Sequence, residues 1–270
     1  MRLLIEEAAK IGVALAPEQV EKFAAYMRLL LEWNKKFNLT AVTGERDIIL
    51  KHFIDSLSVV RLIGGVKAAG ACGIVNMTPF AKGEHGGANK KNESEAMTVI
   101  DVGTGAGFPG VPIKIAKPDI ELTLLEATKK KAAFLTELIK ELGLEKVSAV
   151  CARAEEAGRE AGMRESFDVA VSRAVAPLEI LAEYCLPFVK TGGRFLALKG
   201  PDVEREIKSA GAMIKKLGGE TIEIVPVFIS GTDDNGEACG LRHCIVVVDK
   251  VRGTPAAYPR ANGEIVRSKR

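Results

Sequence analysis

The stretch that most constrains this chain is Val99-Ile100-Asp101-Val102-Gly103-Thr104-Gly105-Ala106-Gly107-Phe108-Pro109-Gly110. A short apolar β run, preceded by Thr98, ends in glycines. Val111, Ile113, Ile115 and Ala116 then continue as a helix. Strand, glycine turn and helix in that order form the nucleoside- or phosphate-binding corner of a doubly wound sheet. Glycine suits the turn because it adopts positive φ and lets a ligand approach the backbone with no Cβ between them.

Two registers fit the turn. Gly105-Ala-Gly107-Phe-Pro-Gly110 matches the dinucleotide pattern G-x-G-x-x-G literally. Directly after the strand, however, the turn starts at Gly103. Counted from there, Asp101-x-Gly103-x-Gly105-x-Gly107 resembles motif I of S-adenosylmethionine (SAM)-dependent methyltransferases. A carboxylate at the strand end suits a cofactor carrying an ammonium and a sulfonium, and repels a pyrophosphate. SAM is therefore preferred here over a dinucleotide and over a turn with no ligand, and the three readings stay open on this stretch alone.

At 270 residues the chain has room for one large domain, or a domain and an accessory unit. Its 47% hydrophobic and 27% charged residues are those of a globular protein. No apolar run approaches the ~18 residues of a membrane span, so no membrane partner is expected. Glu6 and Glu7 break any signal-peptide layout at the N-terminus. The five cysteines contain no C-x-x-C pair, which points to free thiols in a reducing cytoplasm. Three scattered histidines make a His-based metal site improbable. The net charge of +3 is mild. From Lys250 onward, though, Lys250, Arg252, Arg260, Arg267, Lys269 and Arg270 face the single acid Glu264, a basic tail that contacts phosphate or is simply solvated.

In chain order, residues 1–63 read as a helical subdomain. Leu3, Leu4, Ala8 and Ile11 begin one stripe. Pro17 opens a second helix with Val20, Phe23, Ala24, Met27, Leu30 and Leu31 on one face, and Trp33 near its end. Ile49, Phe53, Leu57 and Val60 mark a third helical segment, where His52 and Asp55 lie three apart and are placed to pair. Residues 64–97 are glycine- and lysine-rich without a period and read as a flexible linker or insertion. From 98 to 250 strands and helices alternate. Strands are expected at 98–102, 121–125, 147–151, 167–172, 194–198, 220–229 and 243–248, and helices at 110–116, 129–142, 177–189 and 202–217. Residues 230–240 read as an exposed hairpin loop, and 251–270 as the basic tail. The alternation predicts a mostly parallel sheet covered on both faces, with an antiparallel edge.

Ligands in such sheets bind at the carboxyl ends of the strands. Beyond the first strand lie Gly103, Thr104, Gly105 and Phe108. Beyond the second lies Glu126, 19 residues past Gly107, whose carboxylate can accept both ribose hydroxyls. Beyond the third lie Arg153, Ala154 and Glu155, the last able to receive an adenine amino group. Arg173 follows the fourth; burying it alone is costly, so it needs a carboxylate, the cofactor or RNA as partner. Lys199 follows the fifth, at the rim, where it could meet phosphate. The Asn/Asp-Pro-Pro-aromatic motif of amino-group methyltransferases is absent, its slot reading Ser172-Arg173-Ala174, and no Pro-Cys pair serves carbon-5 methylation. No general base is evident, which fits a ring nitrogen with a free lone pair.

Asp101 to Gly110, Arg153-Ala-Glu-Glu156, Ser172-Arg-Ala174, Leu198-Lys-Gly200 and Tyr258-Pro-Arg260 together resemble the ribosomal RNA small-subunit methyltransferase G family (glucose-inhibited division protein B), as do Asn38-Leu-Thr40 and His52-Phe-Ile-Asp-Ser-Leu57. The resemblance implies a Rossmann-like α/β methyltransferase fold, a mostly parallel seven-stranded sheet with helices on both faces and an N-terminal helical extension. It implies methyl transfer from SAM to N7 of a guanine in bacterial 16S rRNA. By position it implies that Gly103, Phe108, Glu126, Ala127, Thr128, Ala154, Glu155 and Arg173 hold the cofactor, joined here by Asp101 and Gly105. Arg153, Arg173, Lys199 and Arg260 are the candidates for RNA; no metal and no catalytic base is assigned. The expected partner is small-subunit rRNA or the small ribosomal subunit, with the protein acting as a monomer. Residues 64–97 and 230–240 look longer than the family pattern, and the end lacks its usual Pro-Leu. The competing classes are an NAD-dependent oxidoreductase and a non-catalytic RNA-binding protein of the same fold.

Overall fold

A computed structural model of the chain describes residues 1–64, 96–173, 176–232 and 238–267. Seven strands form one sheet in the order β3-β2-β1-β4-β5-β7-β6. They are β1 (Thr98–Val102), β2 (Glu121–Glu126), β3 (Val147–Cys151), β4 (Phe167–Arg173), β5 (Val189–Lys199), β6 (Gly219–Thr232) and β7 (Ala238–Lys250). The first five run parallel, and β7 inserts antiparallel between β5 and β6. The chain reverses direction across the sheet between β1 and β4, so a crevice is expected at their carboxyl ends.

The strand alternation divides the core in two. Val99, Leu122, Leu124, Val169, Val171, Leu196 and Ile245 face one layer; Ile100, Val102, Leu125, Ala170, Phe195, Ala197 and Val246 face the other. The first layer holds α1 (Arg2–Lys10), α2 (Pro17–Phe37), α5 (Gly110–Ala116) and α6 (Lys129–Glu141). Between α2 and β1 the chain forms α3 (Glu45–Asp47), a π-helical stretch (Ile48–Ile54), α4 (Asp55–Leu57) and a 3₁₀ turn (Val60–Leu62). The wider π turn lets Ile48, Ile49, Leu50, Phe53 and Ile54 all bury within seven residues. The second layer holds α7 (Ala154–Ala157), α8 (Leu178–Cys185), α9 (Glu204–Lys216) and α10 (Asn262–Arg267).

Helix α2 is tied to the sheet domain at two helix ends. Gln19 Nε2 donates to the carbonyl of Ile115 at 2.7 Å, and Lys22 Nζ to that of Leu142 at 2.6 Å. Both acceptors belong to last turns whose carbonyls have no partner inside their own helix. Trp33 packs on Phe37 and Phe134.

Several expectations are corrected. The helix expected over 177–189 stops at Cys185. Pro187 has no N–H for the helical ladder, and a 3₁₀ turn, Leu186–Phe188, leads directly into β5. The strand expected from 194 begins already at Val189, and Gly192-Gly193 bulges within it, Gly192 at φ 88°. The polar loop expected at 230–240 is narrower, since β6 and β7 stay in register out to Thr232 and Ala238. Backbone pairing in an edge hairpin needs no apolar side chains, so composition understated it. The expected linker 64–97 lies, apart from Gly64, Ala96 and Met97, outside the described residues. No helix among the described residues is long and apolar enough to cross a membrane.

Among the described residues of the basic segment after residue 249, Lys250 and Arg260 are engaged within the protein. Lys250 is buried, donating to Leu186 O at 2.7 Å and to the Thr254 hydroxyl, with Glu165 at 3.4 Å. Arg164 donates to the carbonyls of Thr254 (2.7 Å) and Tyr258 (2.8 Å), and Arg159 to that of Pro259 (2.9 Å). Burial holds Lys250 down to about 8 from its ordinary 10.5, with Glu165 opposing the fall. Between those values the unfolded chain binds more protons, so this group's contribution to stability rises with pH. Relative to Lys250→Met, the wild type is expected to gain about 2 kcal/mol between about pH 7 and about pH 9.5. Chemical denaturation at the two pH values checks this, and a constant difference contradicts it.

Candidate active site at the carboxyl ends of β1, β2 and β4

The glycine turn is built from both sides. Gly103, Gly105 and Gly107 adopt φ of 72°, 62° and 99°. A Cβ on Gly107 would lie 2.7 Å from the Tyr26 hydroxyl and 2.9 Å from Val111, so this glycine answers to packing as well as to φ. A Cβ on Gly105 would meet nothing within 4 Å. Gly105 therefore faces open space, where a ligand can come against bare backbone.

Asp101 anchors the turn from below. It is fully buried, and its Oδ2 accepts from the Thr104 hydroxyl at 2.5 Å and the Gly110 N–H at 2.7 Å. Its Oδ1 is buried without a hydrogen-bond partner among the described residues. Burial raises the carboxyl to about 6, against the pull of those two hydrogen bonds. Glu126, at the tip of β2, spans the turn from the side. Its Oε2 accepts from Gly105 N–H at 3.0 Å and its Oε1 from Thr128 N–H at 2.8 Å. Held by two backbone donors, the carboxylate keeps lone pairs for a diol.

Tyr26 clamps the turn from above. Its hydroxyl donates to Ala106 O at 2.5 Å, and its ring stacks on Phe108 at 5.1 Å and 15°. On Phe108 also stack His52, at 4.5 Å, and the Arg173 guanidinium, at 5.1 Å. The N-terminal helices thus shape the turn itself. Tyr26→Phe is expected to loosen the turn and weaken ligand binding there severalfold, at a stability cost of about 1 kcal/mol. Calorimetry and denaturant melts check both, and unchanged ligand affinity contradicts the clamp.

Arg173 is held in place by the π-helical stretch. One guanidinium nitrogen donates to Asp55 Oδ2 at 2.7 Å and to Lys51 O at 3.0 Å; the other lies 3.3 Å from His52 Nδ1. Burial and then Arg173 lower His52 to about 4, so it is neutral at physiological pH. Its Nε2 lies 2.8 Å from the Thr40 hydroxyl, and its Nδ1 lies 3.1 Å from Lys51 O. The anticipated His52–Asp55 pair does not form, because both side chains turn to Arg173. Asp55 Oδ1 lies 3.0 Å from His243 Nδ1 without forming an aligned hydrogen bond. Burial lowers the His243 pKa, which keeps it from full ion-pair character. Beside this cluster opens a cleft of about 440 Å³, lined by Arg173, Asp55, His243, Lys199, Glu206 and Arg242 among others.

The sequence profile of the rRNA small subunit methyltransferase G family matches residues 19–73 and 88–230. The chain belongs to this family. A ribosomal RNA small subunit methyltransferase G of Clostridium botulinum is 43% identical over 266 residues, covering 98% of this chain and 96% of that one. Its counterpart in Clostridium beijerinckii is 41% identical over 264 residues, covering 97% and 95%. Among solved structures, a SAM-dependent O-methyltransferase of Thermotoga maritima superposes with a TM-score of 0.49 at 14% identity, covering 84% of this chain and 73% of that one.

Within this member of the methyltransferase G family the cofactor candidates gather around one corner. Gly103, Gly105 and Phe108 form the turn, and Glu126, Ala127 and Thr128 follow β2 into α6. Ala154 and Glu155 open α7, with Glu155 only 8% exposed beside Tyr184. The RNA candidates do not behave alike. Arg153 is exposed ahead of α7. Lys199 is paired with Glu206 at 2.8 Å and donates to Ala176 O at 3.0 Å, so it lines the cleft as part of an ion pair and not as a free cation. Arg260 is anchored more firmly still. Its guanidinium is engaged at 2.6 and 2.9 Å by Glu183, a carboxylate 1% exposed. That fork uses Nε and Nη2 and anchors the Arg260 side chain to a buried carboxylate, while the remaining guanidinium N–H groups are not held by Glu183. Sequence reasoning passed over Tyr26, although it falls on the Phe23–Met27–Leu30 stripe. It passed over His243 too, for which strand periodicity carries no signal. Among the described residues no three His, Cys, Asp or Glu gather to hold a metal ion.

Proposed function

We propose that this protein transfers a methyl group from SAM to N7 of a guanine in small-subunit rRNA. The observation that carries the reading is Glu126 clamped by Gly105 and Thr128 beside an open glycine turn, in a chain of the methyltransferase G family. The residues fit SAM. Glu126 offers a preset carboxylate to a ribose diol. The unpartnered Asp101 Oδ1 adds negative potential toward a cationic ligand. Two carboxylates at the same corner disfavour the pyrophosphate of NAD.

When bound, SAM supplies an electrophilic methyl group on sulfonium. Everything else falls to the chain. Gly103 and Gly105 present bare backbone, and Ala127 and Thr128 would hold the ribose end. Ala154 and Glu155 would hold the adenine end. Arg173, fixed by Asp55 and Lys51 O, would serve both cofactor and guanine, and Arg153 would take backbone phosphate of the RNA. Guanine N7 carries its own lone pair, so the chain needs no base. The neutral His52 instead stiffens the stack on Phe108, and catalysis rests on alignment and exclusion of water. This reading makes small-subunit rRNA, bare or in its ribosomal particle, the partner of a monomer in the cytoplasm. Titrating the purified protein with SAM and with NAD tests the cofactor. Saturable binding of SAM alone is expected; binding of NAD in its place would overturn the reading.

A further inference from the structure

We infer that Phe228 and Arg242 form a stacking platform for an unpaired rRNA base flanking the target guanine. The inference rests on the rRNA reading above and extends it to a residue pair outside the cofactor corner. Phe228 lies on the edge strand β6 and is 58% exposed, above the other exposed large apolar side chains among the described residues. Arg242 is its direct cross-strand partner on β7. The Arg242 guanidinium sits 5.7 Å from the centre of the Phe228 ring.

The ring is held in place from beneath. A Cβ on Gly240 would lie 2.4 Å from it, so Phe228 covers backbone that only a glycine leaves bare. Covering an edge glycine with an aromatic ring is a known way to steady a strand pair. That contact fixes the ring's attitude, yet leaves more than half of the side chain in water. The face is not isolated. Arg242 also lines the cleft beside Arg173, Asp55 and His243. Four cations of that lining, Lys51, Arg173, Lys199 and Arg242, stand against two carboxylates, Asp55 and Glu206. An exposed aromatic ring with an arginine plane, next to a net positive cleft, has the chemistry that takes up splayed single-stranded bases. A protein partner would more often meet a wider apolar patch than one ring flanked by charge.

The test compares wild type, Phe228→Ala, Phe228→Trp and Arg242→Ala in steady-state methyl transfer to unmethylated small ribosomal subunits, with SAM affinity and melting temperature measured in parallel. Phe228→Ala is expected to raise KM for the subunit by about tenfold, with kcat, SAM affinity and melting temperature unchanged. Phe228→Trp is expected to restore KM, since any aromatic face supports stacking. Arg242→Ala is expected to raise KM and to flatten its dependence on salt. An unchanged KM in Phe228→Ala overturns the platform while leaving the proposed function intact. A raised KM that follows a lowered melting temperature and is not restored by tryptophan overturns it as well, reducing Phe228 to a cover for Gly240. Absence of transfer by the wild type would instead bring down the rRNA reading, and this inference with it.

Discussion

Glu126→Ala is expected to weaken SAM binding by roughly 100-fold, equivalent to about 2.7 kcal/mol. Two effects add. The ribose loses an ionised acceptor, and a hydrogen bond to a charged group contributes about 1.5–3 kcal/mol. The turn also loses its tether, because Glu126 accepts from both Gly105 and Thr128 N–H. Gly105 sits at φ 62° in open space, where nothing else among its neighbours replaces that restraint. Glu126→Gln retains a carbonyl acceptor but no charge, and an intermediate loss of about tenfold is expected. Calorimetry with SAM reads both variants. Equal affinity in wild type and Glu126→Ala would remove Glu126 from the cofactor site.

Asp55→Ala is expected to lower stability by about 3 kcal/mol and kcat/KM by roughly 100-fold, because it strands a charge in a largely buried place. The Arg173 and Asp55 side chains are 15% and 9% exposed, and their contact is 2.7 Å. Without Asp55, Arg173 retains Lys51 O and the His52 ring, but no carboxylate among those contacts. Its guanidinium would swing toward solvent or draw in water, and the side of the cleft nearest Phe108 would lose its shape. A double variant carrying Arg173→Met as well is expected to recover part of the stability but none of the activity. With both charges gone no ion is stranded, yet the positioning of guanine is still lost. Denaturant melts of the four proteins measure the coupling. Strictly additive losses would mean that the pair is not energetically linked.

Much of the fold was legible because it rests on periodicity. The apolar run into Asp101, the glycines after it and the stripe Ala132–Leu135–Leu138 each fix one element by local pattern, and all three stand where expected. Glu126 was equally legible, since spacing along a βαβ unit places an acid at the second strand end. What stayed hidden depends on contacts far apart in sequence. Tyr26 reaches Ala106 across 80 residues, and His243 on β7 comes beside Asp55. Charge counting likewise gave no sign that Lys199, Arg260 and Lys250 are paired within the protein. Composition records a cation but not the carboxylate or carbonyl waiting for it in space. The π-helical stretch buries its apolar residues, while His52 and Asp55 both contact Arg173.

Transfer of labelled methyl from SAM to small ribosomal subunits taken from a strain lacking this gene, followed by mapping of the modified base, decides whether the protein is an rRNA guanine-N7 methyltransferase. The account predicts label at N7 of a single guanine of the small-subunit rRNA, largely lost in Asp55→Ala and restored at high SAM concentration in Glu126→Ala. Label on another atom or another RNA, or none at all despite intact SAM binding, would contradict it.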